Sequence, residues 1–213
     1  LTDNAEAIAA HCGEACVLIE PGSGSSEKVR LLLDTLRPST YVPMDIAEEF
    51  LQRSADKLAG EFPWLDVHAI CADFTDEHYF DRDLPEGRRV VFYPGSTLGN
   101  MVPEEAEDFL SGLRAWLGAD GGLLIGVDLH KSEAILDAAY NDAKGVTAAF
   151  NQNALTSINR LMPANFALEN FSHKAFYNQQ VQRIEMHLVS QLDHIVRVAV
   201  RSIAFSKGES IHT

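Results

Sequence analysis

Residues 20 to 28 read Glu20-Pro21-Gly22-Ser23-Gly24-Ser25-Ser26-Glu27-Lys28. Glycines at Gly22 and Gly24 let a backbone turn tightly and approach a ligand where a Cβ would collide. The third glycine of the dinucleotide fingerprint G-x-G-x-x-G is absent, because Glu27 stands in its place. A carboxylate opening the next helix would also repel a pyrophosphate. The loop therefore suits a ligand without phosphate, and a plain structural turn fits it about as well.

Two carboxylates follow at suggestive places. Asp45 stands 23 residues after Gly22, where a carboxylate can accept hydrogen bonds from both hydroxyls of a ribose. Asp73 is followed by Phe74, a pair that can take an exocyclic adenine amine and cover the base with a ring. Each aspartate alone serves equally well as a helix N-cap. Asn100, in Gly95-Ser96-Thr97-Leu98-Gly99-Asn100, offers donors and an acceptor to a polar substrate, or is a turn residue. Tyr140-Asn141-Asp142 lies with Phe150, Asn151, Asn153 and Asn159 in a run of helical pattern. Asparagine is a poor helix former, so the cluster reads either as a working surface or as solvated loop.

These residues need elements to carry them. Apolar runs at Ala15–Glu20, Thr40–Asp45, Val67–Cys71, Arg89–Tyr93 and Gly122–Asp128 read as buried strands, although Pro43 weakens the second. Between them, Glu27–Leu36, Ile46–Ala59 and Pro103–Leu117 read as helices, the last opened by proline and acidic residues. Strands alternating with helices predict an α/β fold, a doubly wound parallel sheet covered on both faces. The glycine loop, Asp45 and Asp73 then fall at the carboxyl ends of successive strands, where such sheets bind ligands. Val181–Leu188 and Ile195–Phe205, joined through a polar turn at Asp193, predict an antiparallel hairpin at the sheet edge. Residues 131–176 are too long for a connection and read as a helical insertion over the ligand crevice.

Composition narrows the partners. With 17 Lys+Arg against 31 Asp+Glu the formal charge is 17 − 31 = −14. So acidic a chain gains nothing from counterion release, which excludes nucleic acid and anionic membrane as partners and leaves a cationic or zwitterionic small molecule. No apolar run approaches the ~18 residues of a membrane span. Three cysteines, Cys12, Cys16 and Cys71, fit a reducing, cytoplasmic compartment. Cys12 and Cys16 beside His11 lack a second ligand pair, the eight histidines form no pair at helical spacing, and no metal is expected. No serine stands in a G-x-S-x-G elbow. No long exposed apolar stripe calls for another subunit, so a monomer is expected.

Taken together, LIEPGSGSSEK, YVPMDI, ADF, FYPGSTLGNMVPEEA, LLIGVDLHKS, AAYNDAKGVTAAFNQN and IEMHL resemble the histidine-specific S-adenosylmethionine-dependent methyltransferases. The best-known member makes trimethylhistidine for ergothioneine biosynthesis. The resemblance spans nearly the whole chain, and GSTLGN with AYNDAKGVTAAFN is far more specific than the glycine loop. It implies the class I methyltransferase (Rossmann-like) fold over residues 1–213, with a seven-stranded sheet ending in an antiparallel hairpin. It further implies that Gly22, Gly24 and Lys28 line the methionine part of the cofactor, that Asp45 binds ribose, and that Asp73 and Phe74 hold adenine. Asn100 and Tyr140 would contact the amino-acid substrate. The family also carries closing tyrosines ahead of the position of Leu1, and a glutamate and serine that grip imidazole directly after that of Thr213. Both family segments are therefore expected outside these residues.

The chemistry so implied is transfer of a methyl group to an α-amine, with positioning in place of a dedicated acid–base residue. A branch of the family acts on tryptophan derivatives, which keeps a second substrate open. A nicotinamide oxidoreductase on the same sheet is disfavoured by Glu27, and a non-catalytic cofactor-binding module stays open as well.

Overall fold

The computed structural model describes residues 1–73 and 84–213. Helix α1 (Ala5–Cys12) leads into β1 (Val17–Pro21), which is buried at every position. Then come α2 (Glu27–Leu36), β2 (Thr40–Asp45), α3 (Glu48–Glu61) and two short strands, β3 (Asp66–Val67) and β4 (Ile70–Cys71). Strand β5 (Arg89–Tyr93), α4 (Pro103–Leu117) and β6 (Gly122–Ile125) follow. The strands pair in parallel in the order β3-β2-β1-β5-β6, with β4 also on β2. The expected doubly wound sheet is present.

Alternation along the strands sorts its two faces. Leu18, Tyr41, Val90 and Phe92 point one way, against Val29, Leu32, Leu33 and Leu36 of α2 and Leu58 of α3. Val17, Ile19, Val42, Met44, Val91 and Tyr93 point the other way, against Phe109, Leu113 and Trp116 of α4. Period-2 alternation of apolar residues on both faces is what makes the strands read as unbroken apolar runs. Helix α4 starts where proline and acidic residues place it, and Glu105 reaches back to accept the Val102 N–H at 3.2 Å.

The chain divides into two compact units, Leu1–Asp128 and Leu129–Thr213. The second contains α5 (Glu133–Tyr140), α6 (Val146–Leu161), β7 (Phe171–Asn178), β8 (Arg183–Ser190), β9 (His194–Val198), β10 (Arg201–Phe205) and β11 (Ser210–His212). Its core gathers Leu155, Phe166, Phe171, Leu188, Val196 and Phe205. The segment expected as a helical insertion is helical through α6 but turns to strand at Phe171.

Antiparallel hairpins are present near the C-terminus, with partners other than those expected. Strand β8 pairs with β7 and β11, whereas Ile195–Phe205 folds back on itself as β9 and β10. The reversal lies at Ala199 and Val200, with Ala199 at φ 51°. A left-handed alanine is uncommon, so no local signal announces the turn. Tertiary contact supplies it: the Ala199 N–H donates to the Pro163 carbonyl at 2.6 Å. The β7–β8 turn likewise lacks glycine and uses Gln182 at φ 52°, with the Asn178 side chain accepting the Gln180 N–H.

Gly126 pins β6 to β5. Its N–H donates to the Tyr93 carbonyl at 2.9 Å, and its carbonyl accepts the Ser96 N–H at 3.1 Å. A Cβ there would stand 2.5 Å from the Pro94 carbonyl oxygen, a clash with main chain that only backbone movement relieves. Gly126→Ala is expected to destabilise the fold by about 1–3 kcal/mol, read as a lower urea midpoint at unchanged slope; an unchanged midpoint would show that the two strand ends are not held this tightly.

Candidate functional site

The carboxyl ends of β1, β2, β4 and β5 carry the residues singled out from the sequence. The chain leaves β1 toward β2 on one side and returns to β5 on the other. That change of direction is a topological switch point, beside which open parallel sheets usually bind their ligands.

The glycine loop sits at this switch point. Gly22 and Gly24 hold φ 67° and 53°, and Ser26, the residue before α2, holds φ 55°. Nothing lies within 4 Å of a Cβ built on Gly24, so its positive φ, not crowding, accounts for the glycine. The Gly24 N–H donates to Asp45 Oδ2 at 3.1 Å, while Asp45 Oδ1 accepts the Ala47 N–H at 3.0 Å. Asp45 is not the N-cap of α3, a position that falls at Ala47; it closes a local turn just ahead of the helix and fastens the loop to the end of β2. Each carboxylate oxygen keeps a second acceptor direction, so the local role and a ribose-binding role are compatible.

Beneath the loop lies a polar group that sequence reading passed over. Glu20, near the end of β1, is 4% exposed. Its Oε2 accepts the hydroxyl of Tyr41, a fully buried residue of β2, and the Tyr41 oxygen lies 3.1 Å from Ser26 Oγ. Burial drives the Glu20 carboxyl up to about 7, against the opposing pull of the Tyr41 hydrogen bond and the Lys28 ammonium. Burial and the adjacent Glu20 push the Tyr41 phenol well above its ordinary range. Lys28 itself is exposed, with Nζ 3.6 Å from a Cβ built on Gly95, so it stands between the loops after β1 and β5. The one sequence signal was a glutamate closing an otherwise apolar strand.

Asp73 is exposed and follows β4. Phe74 lies outside the described residues. Asn100 is exposed in a short 3-10 turn, Thr97–Asn100, led by Ser96 at φ 57°. Ser96 Oγ accepts the Asp128 N–H at 2.9 Å, so this serine fixes the loop rather than offering a nucleophile. Cys71, at the end of β4, is an exposed free thiol, whereas Cys12 and Cys16 are buried. Burial raises both buried thiols, Cys16 to about 11.

In the second unit, Tyr140 ends α5 half-exposed, and its carbonyl lies 2.9 Å from His173 Nε2. The asparagines around it resolve into structural staples. Asn141 exchanges hydrogen bonds with the backbone of Ala175, and Asn159 with that of Phe166. Asn151, 3% exposed, reaches His173 Nδ1 and the His187 carbonyl. Asp142 accepts the Val146 and Thr147 N–H groups, and these bonds hold its carboxyl below the ordinary range. Asn153 and the ring of Phe150 are exposed.

Cross-strand pairing also assembles a histidine cluster that no sequence spacing announced. Glu185, His187 and His212 bring ligand atoms within 4.8 Å of one another. The imidazoles of His187 and His212 stack at 9° and 4.7 Å, so their lone pairs do not converge on one point. His187 instead lies 3.1 Å from Ser210 Oγ and 3.3 Å from Glu185 Oε2. Burial pushes Glu185 up, but hydrogen bonds from His187, Arg183 and Asn178 outweigh it and hold the carboxyl low. The arrangement is that of an ion-pair network rather than a metal cage. Among the described residues, no helix is long and apolar enough to cross a membrane.

Comparison with known proteins places this geometry in context. Residues 1–213 match the family model described as histidine-specific methyltransferase, SAM-dependent. The chain is 40% identical over 218 residues to the histidine N-alpha-methyltransferase of Mycolicibacterium smegmatis, covering 100% of this chain and 67% of that protein. It is 38% identical to the histidine N-alpha-methyltransferase of Mycobacterium tuberculosis, covering 97% of this chain and 65% of that one. An L-tryptophan methyltransferase of Psilocybe serbica is 25% identical over 92% of this chain and 61% of its own length. The chain therefore spans about two thirds of the length of these three relatives.

The buried carboxyl has a measurable signature. A folded-state value near 7 against an ordinary 4.5 means that the folded form holds a proton the unfolded form releases between those two values. That contribution is present in full below pH about 4.5 and is lost as pH rises toward 7, at most about 3 kcal/mol. The stability difference between the native protein and Glu20→Gln should accordingly fall across this window; a difference independent of pH would mean that Glu20 is not held protonated.

Proposed function

Because the chain belongs to the histidine-specific, S-adenosylmethionine-dependent methyltransferases, we propose that it forms the working part of an enzyme that methylates the α-amine of L-histidine. The observation that carries the cofactor side is the fastening of the glycine loop to Asp45 at the switch point of the sheet. It sets a carboxylate of the neighbouring strand against a loop without phosphate-binding character. Gly22, Gly24 and Lys28 would line the methionine part of S-adenosylmethionine, Asp45 would accept the ribose hydroxyls, and Asp73 would accept the adenine amine. Phe74 is assigned to the base on the strength of the sequence motif. Asn100 and Tyr140 would hold the polar ends of the amino acid.

When bound, the cofactor would supply an electrophilic sulfonium methyl, which an amine attacks in line, the N–C bond forming as the S–C bond breaks and S-adenosylhomocysteine leaves. The protein's task is then orientation, for which effective molarity supplies ~7–11 kcal/mol. The attacking amine must be neutral, and groups that accept its hydrogens and aim its lone pair serve that end. Asn100 and Tyr140 would serve such a role through their hydrogen-bonding groups, a carboxamide and a hydroxyl. A reducing, cytoplasmic setting agrees with three free thiols, and a monomer is the proposed working unit.

The tryptophan reading rests on the more distant relative named above. Supplied with methyl-labelled S-adenosylmethionine and either amino acid, the protein is expected to label histidine. Label on tryptophan alone would replace the substrate, and label on neither, with cofactor still bound, would leave a binding module. Asp45→Ala should weaken cofactor binding by about 1–3 kcal/mol in calorimetric titration, and an unchanged affinity would reduce Asp45 to its turn role.

A further inference from the structure

The loop with Gly22 and Gly24 is held from beneath by side chains that the cofactor reading does not use. Tyr41 sits between them. Its hydroxyl donates to Glu20 on β1, and its oxygen meets Ser26 Oγ at 3.1 Å. All three residues are buried, with Tyr41 fully so. Ser26 is the left-handed residue through which the loop enters α2, so a bond to its side chain acts on a strained backbone position. One turn into α2, Arg30 donates to the Ser25 carbonyl and to Glu61, each at 2.8 Å. The loop is thus secured at Ser25 by Arg30, at Gly24 by Asp45 and at Ser26 by Tyr41.

We propose that Tyr41 is a positioning residue for the cofactor: by joining Glu20 to Ser26 it holds the Gly22–Gly24 turn in its receiving shape and ties that shape to the proton on Glu20. The inference rests on the reading of this loop as the S-adenosylmethionine site. The hydroxyl chain has two directions. With Glu20 ionised, Tyr41 must give its hydrogen to Glu20, so Ser26 donates to Tyr41. With Glu20 protonated, the carboxyl can donate to Tyr41 and Tyr41 to Ser26. Ser26 therefore changes from donor to acceptor as Glu20 titrates, and the loop feels the change at its left-handed residue.

The charged groups facing this chain act in known directions. Lys28, from α2, favours the ionised carboxyl, as does the Tyr41 hydrogen bond from β2. Arg30, also from α2, faces Tyr41 and favours its ionised form, although burial keeps the phenol neutral. A cationic ligand entering the loop favours ionised Glu20 as well. Affinity should therefore rise with pH through the ionisation of Glu20.

The test is calorimetric titration with S-adenosylmethionine alone between pH 5.5 and 8.5, on the unaltered chain, Tyr41→Phe and Glu20→Gln, with melting temperatures in parallel. The unaltered chain should show one inflection near pH 7. Tyr41→Phe should bind about tenfold more weakly at pH 7 and move the inflection upward, because the ionised carboxyl loses a donor. Glu20→Gln, which keeps an acceptor for Tyr41, should bind without an inflection. If Tyr41→Phe melts lower but binds with unchanged affinity and inflection, its role is packing alone and the proposal is overturned. If Tyr41→Phe does not fold, Glu20→Gln decides, since a retained inflection overturns the proposal. Absence of binding by the unaltered chain would overturn the cofactor reading, and this inference with it.

Discussion

Strand β1 is hydrogen-bonded in parallel on both sides and buried from Val17 to Pro21. That double pairing is the constraint on which the rest of the first unit depends. A central parallel strand must emerge at the same edge as its neighbours, so the ends of β1, β2, β5 and β6 fall together. It must also be covered on both faces, which fixes α2 and α3 against one and α4 against the other. What remains open is the edge where the strands stop. There the backbone polar groups need partners from loops and side chains. Asp45, Ser96 and Gly126 meet that need, and the candidate site consists of the same loops.

The elements readable from sequence were those with local reasons. Helix α2, strands β2 and β5, and helix α4 begin and end where the residue pattern puts them, because glycine, proline and acidic first turns mark their limits. The expected third strand is broken at His68 and Ala69 into β3 and β4. The failures have tertiary causes. Residues 195–205 look like one strand because no glycine marks Ala199, whose turn is held by the distant Pro163 carbonyl. The same distinction governs the site. Gly22, Gly24 and Asp45 could be brought to one site by their spacing, and the Gly24 N–H does meet Asp45. Glu20 and Tyr41 looked like ordinary strand residues, since nothing local shows that both point to the same face.

The asparagine cluster gives the converse case. Its residue types suggested a working surface, and the structure spends Asn141, Asn151 and Asn159 on backbone groups at the seams between helix and strand. An amide has both a donor and an acceptor, which suits it to close a seam where carbonyl and N–H groups both lack strand partners. Composition therefore identified a real cluster, and neither reading left open for it, working surface or solvated loop, describes what these three amides do. Tyr140, beside it, stays half-exposed.

The three cysteines have an experimental consequence. Cys12 and Cys16 are closed off, with thiols raised above their usual range, while Cys71 lies open at the tip of β4. A mild alkylating reagent would therefore tag one position in the folded chain. That position is two residues from Asp73, on the rim of the proposed adenine site. A fluorophore placed there would serve as an optical reporter of what enters the crevice, with no engineered cysteine required.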